Sequence, residues 1–105
     1  MDSQLKKGLL EFCVIAVLDK SDSYGYQIIK DVSECITISE STLYPILKRL
    51  ESSQYLETYS REHNNRLRKY YRITDAGRNY RKEFLEDWKD VMKIYYFIKG
   101  ENEND

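Results

Sequence analysis

The chain has 105 residues, of which 41% are apolar and 33% charged, and a formal net charge of −1. That length allows one domain around one modest core, and the composition is that of a soluble globular protein. No apolar run approaches the roughly 20 residues that cross a bilayer, and no membrane partner is expected; acidic Asp2 ahead of the longest run (residues 9–18) also argues against a secretory signal, so the expected location is cytoplasmic.

Residues 3–19 read as a helix with Ser3 as its N-cap. Leu5, Leu9, Phe12 and Ala16 form one apolar stripe, and Leu10, Val14, Val17 and Leu18 a second, with Ile15 widening the surface. A helix apolar around so much of its circumference has to be covered on two sides, and in so short a chain the second cover is expected to be a partner subunit. Cys13, within this helix, and Cys35, further on, are expected as buried thiols rather than a disulfide.

The segment SDSYG (21–25) interrupts the pattern, and Ser23 is expected to cap a second helix over about 24–35, with Ile28, Ile29 and Val32 inward. A third helix is expected over about 40–53, capped by Ser39. Leu43, Ile46, Leu47 and Leu50 share one face, while Ser41, Tyr44, Pro45 and Lys48 share the opposite one, with Thr42 and Arg49 on its flank. Pro45 lies past the first turn and removes a backbone hydrogen bond, so it should bend the helix start. Tyr44 suits either helix packing or an outward contact. Arg49 is expected to pair with an acid of its own helix, which places it behind Lys48 as a DNA contact.

Two strands, 55–63 and 66–74, flank Asn64-Asn65 at a hairpin tip, since Asn tolerates positive φ. Alternation puts Tyr71 and Ile73 inward and Arg68, Tyr70 and Arg72 outward, with Lys69 exposed near the tip. Thr74 and Asp75 then open a helix to about residue 98, roughly 37 Å long. Tyr80, Phe84, Trp88, Val91, Tyr95 and Ile98 repeat at spacings of three and four, a heptad-like seam to be lined by the first helix and by a second chain. Residues 99–105 read as a charged tail.

The order is helix, helix, helix, hairpin, helix: mainly α with a small β-hairpin, a winged helix-turn-helix with a long C-terminal dimerisation helix. The expected division is 1–73 for the winged unit, 74–98 for the dimerisation helix and 99–105 for the tail. The near-neutral total hides a split. Residues 61–82 hold eight Lys or Arg and two acids, a net +6, and the remainder carries −7. A basic wing beside a polar helix face suits double-stranded DNA: Arg and Lys neutralise phosphates, and side chains of the third helix reach base edges. The expected contacts are Ser41, Thr42, Tyr44 and Lys48 on the helix, and Arg66, Arg68, Lys69 and Tyr70 on the wing. The alternative is a winged-helix adaptor for protein partners, which has no need of so basic a wing.

The segments YGYQI (24–28), STLYPILKRLE (41–51) and RKYYRITDAGR (68–78) resemble the PadR family of bacterial transcriptional regulators over almost the whole chain. The resemblance implies a winged helix-turn-helix homodimer, usually a repressor, held together by its first and last helices; the long helix without a large effector domain after it resembles the family's short branch. Its wings usually carry glycine at the tip, where this chain has Asn64-Asn65. The interface expected here comprises Leu5, Leu9, Phe12 and Ala16 with Phe84, Trp88, Val91, Tyr95 and Ile98. An inverted-repeat operator follows from two-fold symmetry. Trp88 is the candidate contact for a small aromatic or cationic effector that releases DNA, set against an ordinary seam role. No cofactor is implied. The four glycines are scattered, the single His63 has no metal-ligand spacing around it, and no Cys-His pairing suits catalysis, so an enzyme is not expected.

Overall fold

The computed structural model describes residues 1–101; the rest of the expected charged tail, 102–105, lies outside the described residues. The elements are α1 (Ser3–Lys20), α2 (Gly25–Ser33), α3 (Glu40–Ser52), β1 (Leu56–His63), β2 (Arg66–Ile73) and α4 (Asp75–Lys99). Their order and type are those read from the sequence. Leu43, Ile46, Leu47 and Leu50 of α3 are all buried, against Val14, Ile15 and Leu18 of α1 and Ile28 and Val32 of α2, and Leu56, Tyr71 and Ile73 close the core from the hairpin. The apolar face of α3 therefore points inward and fixes its polar face outward.

Two expected caps differ. Asp2, not Ser3, caps α1: its carboxylate accepts the Leu5 amide at 3.0 Å, and an anion also suits a helix N-terminus. Ser23 does not cap α2. Its backbone forms an antiparallel bridge with Tyr71, donating to the Tyr71 carbonyl at 3.2 Å and accepting its amide at 2.8 Å. That bridge holds Ser23 extended and buried, its hydroxyl without a partner, and α2 starts at Gly25 with Tyr24 in the cap position and no side-chain cap. The helix stops at Ser33 because the Glu34, Cys35 and Ile36 amides turn back onto the carbonyls of Asp31 and Val32. Cys35 is thus past the helix and exposed, contrary to expectation; Cys13 is half-buried, and burial raises its thiol pKa. Neither forms a disulfide.

Ser39 caps α3 as expected, its hydroxyl accepting the Thr42 amide at 3.3 Å. Asn64 and Asn65 both take positive φ, 52° and 65°, the pairing that a two-residue type I′ turn requires. Thr74 opens α4: its hydroxyl accepts the Gly77 amide at 3.0 Å and donates to the Gln54 carbonyl at 2.7 Å. Gly77 is needed there, because a Cβ would lie 2.3 Å from the Tyr55 carbonyl oxygen. Beyond this start α4 is almost uncovered. Gly77 is its only buried residue, and the chain extends 58 Å with a radius of gyration of 16.0 Å, against about 13 Å for a compact domain of this length.

Candidate nucleic-acid interface

Ser41, Thr42, Tyr44, Pro45 and Lys48 are all exposed on the outer side of α3. The N-cap organises the first of them: the Ser39 hydroxyl lies 3.0 Å from that of Ser41 and donates to that of Thr42 at 3.1 Å. The start of this outer face is thus a connected set of three hydroxyls on an α-helical N-terminus. Tyr44 does both things open to it. It is 46% exposed, yet its hydroxyl sits so close to Gly25 that a Cβ there would lie 2.3 Å away. Tyr44 therefore spaces α3 from the start of α2 while staying half exposed.

The wing has two chemically distinct faces. Cross-strand partners share a face, so Leu56 with Ile73, Thr58 with Tyr71 and Ser60 with Lys69 point one way, while Glu57 with Arg72, Tyr59 with Tyr70, Arg61 with Arg68 and His63 with Arg66 point the other. The first set continues the core. The second is a ladder of rings and guanidinium groups: Arg68 lies over Tyr24 at 3.9 Å, Tyr24 meets Tyr70 edge-on at 5.4 Å, Tyr70 stacks on Tyr59 at 5.5 Å, and Arg61 lies over Tyr70 at 5.0 Å. Such contacts hold long cationic side chains in place without neutralising them. Arg68, Lys69 and Tyr71 line a cleft of about 280 Å³ with Tyr24, Gly25, Tyr26 and Tyr44, which joins the wing to α2 and α3.

Half of the basic run is internally paired. Lys69 meets Glu51 at 3.7 Å, Arg72 bridges Asp22 at 3.2 Å and Glu57 at 3.4 Å, Arg78 and Arg81 share Asp19, and Arg78 also bonds Asp75. The Asp22 hydrogen bond raises the pKa of both Tyr59 and Arg72. Of the expected wing contacts, Arg66, Arg68 and Tyr70 share the ring-bearing face, whereas Lys69 lies on the other face beside an acid. Arg49 also departs from expectation: its partner is Glu11 of α1 at 2.7 Å, because it sits on the flank of α3 that faces α1. Among the described residues, Lys48, Arg61, Arg66 and Arg68 keep no carboxylate partner.

A model of the transcriptional regulator PadR-like family matches residues 14–83. The chain belongs to this family. As a PadR-family member it is a transcriptional regulator, built on a winged helix-turn-helix of the DNA-binding type, and not an enzyme. A Streptococcus mutans protein of known structure is 42% identical, each chain covered to 92%, with a TM-score of 0.78. A PadR-like transcription factor from Bacteroides fragilis is 34% identical, covering 91% of this chain and 95% of its own, with a TM-score of 0.81. Bacillus subtilis PadR, solved in complex with operator DNA, shares the fold at 22% identity over 73% of this chain and 47% of its own, with a TM-score of 0.66.

In this PadR-family chain the expected seam divides into two parts. Phe12 stacks on Phe84 at 3.8 Å, Phe84 meets Trp88 at 5.4 Å, and Leu9, Phe12, Ala16, Phe84 and Leu85 line an apolar groove of about 470 Å³ with Cys13 and Cys35. Further along, Val91, Tyr95 and Ile98 are 41%, 49% and 78% exposed, and Leu5 is 47% exposed on α1. Ile94 and Phe97, outside the heptad reading, are exposed too. Tyr24, Tyr59, Arg61, Lys6 and Lys7 lay outside the expected set, and the fold places them beside it. Tyr24 stood in the YGYQI segment but only folding brings it under Arg68. Lys6 and Lys7 rim a groove of about 650 Å³ with Ser41, Thr42 and Arg49, a proximity between α1 and α3 that no local pattern carries.

Proposed function

We propose that the chain acts as a homodimeric repressor that binds an inverted-repeat operator, reading bases with α3 and holding phosphates with the wing. The observation that carries this is the placement of Ser41, Thr42, Tyr44 and Lys48 on an exposed helix face beside a wing whose Arg61 and Arg68 are held by tyrosine rings rather than by acids. Arg66, Arg68 and Tyr70 contact the backbone, and Lys69 contributes less because Glu51 competes for it. Bacillus subtilis PadR, of the same fold, was crystallised with operator DNA. The dimer forms through α1 and α4, where a single chain leaves Val91, Ile94, Tyr95 and Ile98 exposed beyond the half-buried Phe84 and Trp88; Leu5, Leu9, Phe12 and Ala16 complete the contact. A two-fold axis then sets two recognition helices about one turn of DNA apart.

Trp88, half-buried next to Phe84, stacks small planar molecules between subunits, and Asp87 and Asp90 on the same stretch favour cationic ones, with Glu86 already held by Lys89 at 3.2 Å. Such a ligand releases DNA if it prefers a dimer geometry in which the recognition helices are wrongly spaced. Selection of bound duplexes from a random pool tests the reading. An enriched inverted repeat is expected, and a pool that never enriches above its starting composition would refute it.

A further inference from the structure

Glu11 is the only buried charged residue among the described residues, 7% exposed in the middle of α1. Its two carboxylate oxygens are used by two other helices. Arg49 of α3 donates to Oε2 at 2.7 Å, and the Tyr80 hydroxyl of α4 donates to Oε1 at 3.2 Å. The Tyr80 ring is itself fixed, stacked on Tyr55 at 4.1 Å and against Phe12 at 4.9 Å. Because α4 packs chiefly on α1, this carboxylate of α1 bridges the body of the recognition helix to the long helix, away from the Thr74–Gln54 hydrogen bond where α4 starts.

The pair is buried on the Glu11 side only, since the Arg49 side chain is 48% exposed, and it adds little net stability: the desolvation of Glu11 offsets much of the attraction and solvent screens the rest. What it supplies is a defined geometry: two directional, charge-assisted hydrogen bonds that tolerate little change in the angle between the helices they join. It also occupies Arg49. That guanidinium lines the groove beside Thr42, Lys6 and Lys7, where a released cation would attract any phosphate irrespective of sequence.

We infer that Glu11 is a positioning residue for DNA recognition: it fixes the recognition helix against the dimerisation helix, sets the spacing between the two recognition helices of the dimer, and keeps Arg49 from sequence-blind contact. Displacements of α4 near Phe84 would reach α3 by the same route, since Phe12, stacked on Phe84, directly follows Glu11. The inference rests on the DNA-binding dimer proposed above, and its test begins once the wild-type chain has selected an operator; if it selects none, that reading fails and not this one.

The test compares wild type, Glu11→Gln and Tyr80→Phe on three probes: the selected operator, the same half-sites with the spacer lengthened or shortened by single base pairs, and a mixed-sequence duplex. Circular dichroism and sedimentation establish that each variant is folded and dimeric. For Glu11→Gln, affinity for mixed-sequence DNA should hold or rise as Arg49 is freed. Preference for the operator over mixed sequence should drop by about tenfold, with spacers one base pair off tolerated nearly as well as the selected one. Tyr80→Phe keeps the Arg49 pair and loses only the α4 arm, so it should broaden spacing tolerance without raising mixed-sequence affinity. A Glu11→Gln protein that merely melts earlier, with the wild-type spacing profile and operator preference, would overturn the inference. If Glu11→Gln does not fold, Tyr80→Phe decides: a wild-type spacing profile overturns the inference, and a broadened one supports it.

Discussion

Replacing Arg68 with alanine tests whether the ring-bearing face of the wing meets phosphates. Arg68 lies 3.9 Å over Tyr24 and has no carboxylate partner among the described residues, so its full charge is available to DNA. Lys48, Arg61, Arg66 and Arg68 from each of two subunits would supply eight such cations, which corresponds to a slope of log affinity against log salt of up to about −7. Arg68→Ala removes one cation per subunit and should make the slope shallower by up to about 1.8. The variant's deficit relative to wild type should therefore shrink roughly tenfold between about 50 and about 200 mM salt. Lys69→Ala is the internal control, because Glu51 already lies 3.7 Å from its ammonium. Its slope should change by less than half as much. Fluorescence anisotropy on a labelled duplex across a salt series reads both. Equal slope changes for the two variants, or none for either, would refute the division of the wing into a DNA-facing and a core-facing side.

Val91→Glu combined with Tyr95→Glu should split the dimer or unfold it, since each places an unpaired charge in the proposed seam; sedimentation should fall from about twice the single-chain mass, and an unchanged dimer would count against the seam. Burial, then the nearby Glu11 carboxylate and its hydrogen bond, raise the pKa of Tyr80, so the folded chain keeps a proton that the unfolded chain loses near pH 10. That contribution is intact below about pH 10 and is lost as pH rises from there through the raised value of the folded chain, so urea midpoints should fall more steeply above about pH 10 for wild type than for Tyr80→Phe, and parallel curves would contradict the assignment. Planar cationic dyes should quench Trp88 fluorescence and lower operator affinity together; quenching without loss of DNA binding would leave Trp88 as a packing residue.

The hairpin, its Asn-Asn tip and the inward face of α3 were legible because each rests on a local rule: period two, positive φ at two adjacent asparagines, and apolar spacing of three and four. Ser23 was misread because a serine before a helix is a usual cap, and only the long-range bridge to Tyr71 holds it elsewhere. Arg49 was given a partner on its own helix for the same reason: sequence shows neighbours at three and four, while the acid that wins lies 38 residues away on α1. The net +6 of residues 61–82 was correct as a sum but overstated as a field. Lys69, Arg72, Arg78 and Arg81 are paired with acids from the −7 remainder, and only folding brings those acids near. The ring-and-guanidinium ladder was half visible, since Tyr70 and Arg68 alternate on one strand and a two-residue tip sets Tyr59 opposite Tyr70, but Tyr24 joins it only through tertiary packing.

The central claim is that the outer face of α3 reads bases, and the most direct measurement is a repeated selection from the same random pool with Thr42→Val. Thr42 is exposed on α3 and its hydroxyl is held by Ser39 at 3.1 Å, so the substitution removes one polar group while nearly keeping the side chain's shape. The selected sequence should remain an inverted repeat with the wild-type spacing, and change at one corresponding position in each half-site, with discrimination there reduced by about 1–3 kcal/mol. An identical selected sequence from Ser41→Ala, Thr42→Val and wild type, with no position altered, would contradict the account.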